Sequence, residues 1–131
     1  MATIKRFEDL DIWQLARELC RDINLIITTT TLNKNYKLRD QIDASSGSVM
    51  DNIAEGFERD GKKEFRQFLS IAKGSCGETR SQLYRVFDRK YIDTELFEKT
   101  KEKTNVLSNK IGAFINYLNK TEYAGTKYKK Q

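Results

Sequence analysis

The sequence predicts an all-α protein, an antiparallel up-down-up-down four-helix bundle. Four stretches place apolar residues at alternating three- and four-residue steps, which sets one side of an α-helix against a core. There is no proline in 131 residues, so no helix interior is forced to break. Short polar or β-branched connections join the stretches, and short connections fold consecutive helices back on one another.

The first helix is expected at about 10–28, after Asp9 as N-cap, with Ile12, Ala16, Leu19, Ile23 and Ile26 as a heptad seam. The threonine run at 28–31 and "NKN" at 33–35 end it, and Asn33 or Asn35 can cap the next helix. That second helix, about 36–59, puts Leu38, Ile42, Ser45, Val49, Asn52/Ile53 and Gly56 on one stripe, which is small and polar for a core. Gly61 marks a turn, and Asp60 is the candidate cap of helix three. Helix three, about 61–90, buries Phe65, Phe68/Leu69, Ala72, Cys76, Thr79, Leu83 and Val86. Asp93 caps helix four, about 94–120, whose seam reads Leu96, Thr100, Leu107, Ile111, Phe114 and Leu118. Residues 1–120 thus form one bundle, and the lysine-rich 121–131, which lacks periodicity, is expected to be a frayed tail.

Composition removes several chemistries. With no histidine, the commonest general base, the Ser-His and Cys-His dyads and the Glu-x-x-His pairs of di-iron bundles are all absent. Cys20 and Cys76 lie in separate helices and read as reduced, packed thiols. No apolar run approaches the roughly 20 residues of a membrane span, and the N-terminal stretch has no apolar signal core, so the expectation is a cytoplasmic protein. The net charge of +5 is uneven: residues 1–60 carry 8 Lys+Arg and 11 Asp+Glu, and residues 61–131 carry 16 and 8. The basic half points to a polyanionic partner, and the two signs also allow neighbouring subunits to meet through opposite faces.

Small residues cluster in "SSGS" (45–48) and "KGSCG" (73–77). If helices two and three form a hairpin turning near residues 60–61, Gly47 lies opposite Gly74, and Gly56 and Gly77 join a closely packed interface. A phosphate-cradling loop is disfavoured, because neither patch follows a strand or carries the P-loop pattern. Asp51, Glu55 and Glu58 recur at helical spacing and raise the question of a metal or acid/base site. A solvated face explains most of them. Asn52, on the apolar stripe, and Glu55, beside it, read as polar contacts at a helix or subunit interface; no catalytic residue, metal site or cofactor is assigned.

The most informative feature is basic. Arg59, Arg66, Lys73 and Arg80 are spaced by seven, with Lys62 and Lys63 in the first turn. A seven-residue step drifts only about 20° around a straight helix, so these charges form one ridge. The bland reading is a solvated face with snorkelling side chains. The functional reading is a track for phosphates. Tyr84, Arg85, Phe87, Arg89, Lys90 and Tyr91 extend its basic-aromatic character, some of these rings belonging to the core.

"FEDLDIWQLARELC" (7–20), "YKLRDQI" (36–42), "SVMDNIAEGFER" (48–59) and "EFRQFLSIAKGSCGE" (64–78) resemble the four-helix bundle family of 23S rRNA intervening-sequence proteins, which includes the accessory variability proteins of diversity-generating retroelements. The likeness covers about 7–92. It implies an antiparallel bundle assembling as a ring-like homopentamer, with no established catalytic activity. In the retroelement branch it implies a basic surface that binds nucleic acid and a reverse transcriptase; the other branch is associated with rRNA genes by location. Carried over by position, Asn52, Glu55 and Gly56 are signature residues of packing and assembly. The expected function is therefore non-enzymatic: a homo-oligomeric bundle binding RNA or DNA weakly and without sequence preference through helix three, accessory to a nucleic-acid enzyme. The alternative is a protein-interaction scaffold that binds no nucleic acid.

Overall fold

The computed structural model describes residues 3–121, and the predicted frayed tail lies outside them apart from Thr121. Four long helices form the bundle: α1 Asp11–Thr29, α2 Tyr36–Glu58, α3 Lys62–Asp88 and α4 Thr94–Lys120. Consecutive helices pack side by side, α2 against α3 most extensively, and α4 closes back on α1. Among the described residues, no helix is long and apolar enough to cross a membrane.

The ends of the helices follow local chemistry. Asn35 caps α2 by accepting from the Leu38 N–H at 3.3 Å, and Asp93 caps α4 by accepting from Leu96 N–H at 2.9 Å. The threonines that end α1 turn their hydroxyls back on it: Thr29 donates to the Leu25 carbonyl and Thr30 to that of Ile26. Thr30 then accepts from Leu32 N–H and opens a 3-10 turn, Thr31–Lys34, that drops Leu32 into the core.

Two expected caps are corrected. Asp9 closes a 3-10 turn, Phe7–Asp9, and its carboxylate accepts from Arg6, leaving Leu10 at the N-cap of α1. Asp60 makes no cap either; Gly61 takes the N-cap position of α3, and the Glu64 carboxylate folds back over it. A carboxylate in the first turn suits the positive end of the helix dipole without needing the cap position.

The seams of α1, α2 and α3 follow the expected spacing, with Ile53 and Leu69 rather than Asn52 and Phe68 fully buried. In α4 the expected Leu96 is 37% exposed and Phe97 is buried instead. Phe97 stacks on Phe87 at 4.4 Å and meets the edge of Tyr84 at 5.0 Å, contacts that a leucine side chain cannot match. From Phe97 the buried positions run through Thr100, Thr104, Leu107, Ile111, Phe114 and Leu118 in strict three-four alternation. At the other end, Phe65 sits edge-on to both Phe57 and Phe114, at 5.9 and 5.5 Å, and ties α2, α3 and α4 together.

Between α2 and α3 the core is polar. The Ser45 hydroxyl donates to Gln82 Oε1 at 2.6 Å and lies 2.8 Å from Thr79 Oγ1. Thr79 in turn donates to the Ser75 carbonyl, and the Ser75 hydroxyl meets that of Ser48 at 2.9 Å. Asn52 donates to both the carbonyl and the hydroxyl of Ser48. Among the described residues every buried side-chain nitrogen or oxygen has a partner. Replacing Ser45 by alanine strips Gln82 and Thr79 of a buried partner and should cost about 1–3 kcal/mol in urea unfolding. The exposed Ser70→Ala should stay within about 0.5 kcal/mol of the parent. Equal effects for the two would mean that the ladder contributes nothing.

Candidate nucleic-acid interface

Of the expected basic ridge, Arg66, Lys73 and Arg80 lie on α3 at seven-residue spacing, with Lys62 and Lys63 in its first turn. Ser70, Gly77 and Tyr84 fall on the same strip, three or four residues from their basic neighbours. Arg59 departs from the expectation: it ends α2, donates to Glu55 at 3.2 Å and lies over the Phe68 ring at 5.2 Å, so the helical repeat does not run through it.

The α3 strip faces α4. Arg80 donates to Asn105 Oδ1 at 2.9 Å, and the Lys73 stem lies against Gly112. There the two helices border a shallow groove of about 530 Å³ lined by Lys73, Ser108, Asn109, Gly112, Ala113, Ile115 and Asn116. None of these is acidic. Glu98, nearer the start of α4, is bound to Lys101 at 3.1 Å, and Glu102 faces the groove between α4 and α1. The seven-residue spacing places Lys73 and Arg80 on the strip that borders α4, and the amides and hydroxyls facing them belong to α4. Their signal in the sequence is Asn105, Ser108, Gly112 and Asn116, a helical strip without a carboxylate.

The acidic residues gather elsewhere. Asp40, Asp43, Asp51, Glu55 and Glu58 are exposed on α2. Among the described residues no three carboxylates or thiols come together to hold a metal ion. The two cysteines are free thiols: Cys20 donates to the Ser46 carbonyl and Cys76 to that of Thr104. Burial pushes both thiols up to about 11, which keeps them protonated and unreactive near neutral pH.

The glycines separate into two kinds. A Cβ on Gly56 would stand 2.6 Å from Phe68 Cβ and 3.0 Å from the Phe65 ring, so α2 and α3 touch there backbone to side chain. At Gly47 and Gly74 a Cβ would meet nothing within 4 Å, and at Gly77 only Arg80 at 4.0 Å. The expected close approach of Gly47 and Gly74 is therefore corrected. Ser48 faces Ser75, so each glycine sits one residue, about 100°, off the seam. Asn52 acts within the hairpin, and Glu55 is exposed and paired with Arg59. Gly56→Ala should destabilise by about 1–3 kcal/mol through overpacking. Gly74→Ala should stabilise by up to about 1 kcal/mol, because it only restores helix propensity. Thermal or urea unfolding of the pair checks the signs; the same sign for both would refute the distinction.

Against known proteins, a model of the family described as 23S rRNA-intervening sequence protein matches residues 8–113. Among solved structures, the fold is similar to a protein of unknown function from the S23 ribosomal protein family of Bacteroides thetaiotaomicron. The TM-score is 0.71 at 22% identity, covering 79% of this chain and 97% of that one. At that identity the likeness is one of fold. No curated protein matches the sequence.

Proposed function

The chain belongs to the 23S rRNA-intervening sequence protein family, and we propose that it is a non-enzymatic, self-associating bundle that binds RNA or DNA phosphates along the α3/α4 groove. The observation that carries this reading is the groove and its border: Lys73 lines it beside Ser108, Asn109 and Asn116 with no carboxylate among the lining residues, and Arg80, bonded to Asn105, and Arg66 lie on the same strip of α3 one helical repeat to either side of Lys73. Such a surface neutralises phosphates and offers amides and hydroxyls to sugars, contacts that carry no sequence information directly. Binding is then salt-dependent and tolerant of sequence, which suits an accessory to a larger nucleic-acid enzyme, a reverse transcriptase among the candidates.

A second observation supports a second reading. The exposed face of α2 carries Asp40, Asp43, Asp51, Glu55 and Glu58, with Ala44 and Gly47 leaving a low saddle among them. That face is opposite in sign to the α3/α4 groove and lies on a different side of the bundle. Docking the face of one copy onto the groove of the next is a head-to-tail contact, which closes into a ring where the rotation between copies allows and otherwise runs into a filament. In this scaffold reading the groove is filled by protein.

Reversing Arg66, Lys73 and Arg80 to glutamate distinguishes the two. If the groove carries nucleic acid, fluorescence anisotropy should show affinity for single strands and duplexes falling together. The log–log salt slope should flatten by roughly 2 to 3, with helicity and particle size retained. If the groove carries a neighbouring copy, light scattering should show the assembly dissociating, as it should for the parent protein in high salt. Unchanged affinity and unchanged size would exclude the groove from both roles.

A further inference from the structure

The connections between α1 and α2 and between α3 and α4 lie at one end of the bundle, where Asn35 Nδ2 donates to Tyr91 Oη at 3.1 Å. Residues 33–41 and 85–93 around this bond hold six basic residues, Lys34, Lys37, Arg39, Arg85, Arg89 and Lys90, against three acidic ones. Two of the acids are occupied: Asp40 pairs with Arg39 at 3.0 Å, and Asp93 caps α4. Arg85 donates to Gln41 at 3.0 Å, which leaves its charge unneutralised. This end therefore carries a concentration of positive charge separate from the groove residues Lys73 and Arg80.

Two features of this end lie outside the apolar core. Tyr36, the first residue of α2, is 65% exposed, and the Arg39 guanidinium lies over its ring at 4.7 Å. Arg39 is itself fixed by the Asn33 carbonyl at 3.1 Å and by Asp40. One ring face is thus backed by a planar cation while the rest of the ring stands in water. Lys90, just past the end of α3, has φ of 62°. The bonds from Lys90 N–H to the Phe87 carbonyl and from Tyr91 N–H to the Val86 carbonyl form the glycine-type helix stop. A side chain is disfavoured in that left-handed conformation, yet the position holds a lysine beside the exposed Arg89.

We infer that this end of the bundle binds single-stranded nucleic acid, with an unpaired base stacked on the open face of Tyr36 and its flanking phosphates held by Lys37, Arg89 and Lys90. The inference rests on the reading of the protein as a nucleic-acid binder and narrows it to unpaired strands. A duplex keeps its bases stacked on one another and offers no free face to a protruding ring. An unpaired base of any identity offers one, so stacking on an aromatic side chain is tolerant of sequence. The guanidinium behind the ring holds it in place and adds charge to the platform. An acidic protein segment would use the cations and leave the ring idle.

The test compares the full chain with Tyr36→Ala, Tyr36→Phe and Lys73→Glu. Anisotropy is measured on an unstructured RNA strand, the DNA strand of the same sequence and a blunt duplex, with polyglutamate as competitor. Tyr36 is exposed and outside the core, so its substitution leaves the fold intact. Tyr36→Ala should weaken binding of both single strands about tenfold while leaving the duplex unchanged, and Tyr36→Phe should retain parental affinity. A 2-aminopurine in the strand should be quenched by the parent and not by Tyr36→Ala. If Tyr36→Ala binds single strands as tightly as the parent while Lys73→Glu weakens every ligand, the inference fails and the groove reading stands. If Tyr36→Ala weakens single strands and Lys73→Glu changes nothing, the end site stands and the groove reading fails. Polyglutamate displacing the strands as effectively as unlabelled strand overturns the inference, and a parent protein that binds no strand overturns both.

Discussion

The hydrogen-bonded ladder between α2 and α3 is the constraint from which the remaining geometry follows. Ser45, Ser48, Thr79 and Gln82 occupy positions that apolar residues fill elsewhere in the bundle, and a polar group left unpaired there costs more than a paired one contributes. Leucine seams tolerate sliding because dispersion is non-directional. Hydroxyls tolerate it far less, since a displaced register strands several of them at once. The ladder thus fixes how α2 and α3 are rotated as well as how they are aligned. With Thr79 turned into the seam, Arg80 falls about 100° around the helix and reaches Asn105 on α4. The same rotation brings Gly56 under Phe68 and leaves Gly47 and Gly74 clear of the contact.

Charge is arranged around this frame with the signs separated. α2 presents carboxylates to solvent, and the groove between α3 and α4 presents cations and amides. Where α4 closes on α1, the opposite signs meet: Lys103 donates to Asp22 at 2.6 Å and to Glu18 at 3.1 Å. The bond to Asp22, more than the field of either carboxylate, holds the Lys103 ammonium above its usual pKa. All three groups are partly exposed, so the closure adds modestly to stability and weakens in salt. The apolar core, drawn from all four helices, therefore carries the fold, and the charged residues stay at its surface.

The existence, order and inward faces of the four helices were legible because each depends on a period repeated over many residues, and one misplaced residue does not erase it. The caps were less legible. Asp9 and Asp60 have the right chemistry at nearly the right place, but Arg6 engages the first and Gly61 displaces the second by one residue. Counting back from a turn also misplaced the glycines. It assumed that the turn sets the register, whereas the hydroxyl pairs do. Phe97 replaced Leu96 for a tertiary reason, since the stack on Phe87 exists only once α3 and α4 have met. The basic wall of the groove was visible as a seven-residue charge repeat. Its opposite wall was not, because asparagine and serine on a helix face carry no charge signal and become meaningful only beside Arg80 and Lys73.

The bundle offers two kinds of surface, and they suit different parts of a nucleic acid. Along the helices, side chains stand on a regular lattice with a rise of about 1.5 Å per residue, so a row at seven-residue spacing repeats every ~10 Å. A flexible strand can follow such a row with its phosphates, and the exposed ring on that strip, Tyr84, is engaged edge-on by Phe97 and by the Lys101 ammonium. The ends differ, because chain reversals release residues from that lattice. Tyr36 stands clear of the barrel at the start of α2, and Lys90, in the left-handed conformation just past the end of α3, is exposed at the same end of the bundle. Beyond the groove, the end of α3 carries a second concentration of positive charge in Arg85, Arg89 and Lys90, with Arg85 on the side that faces α2. In the proposed function, phosphate contact along the barrel would supply affinity and capture of an unpaired base at its rim would select the strand.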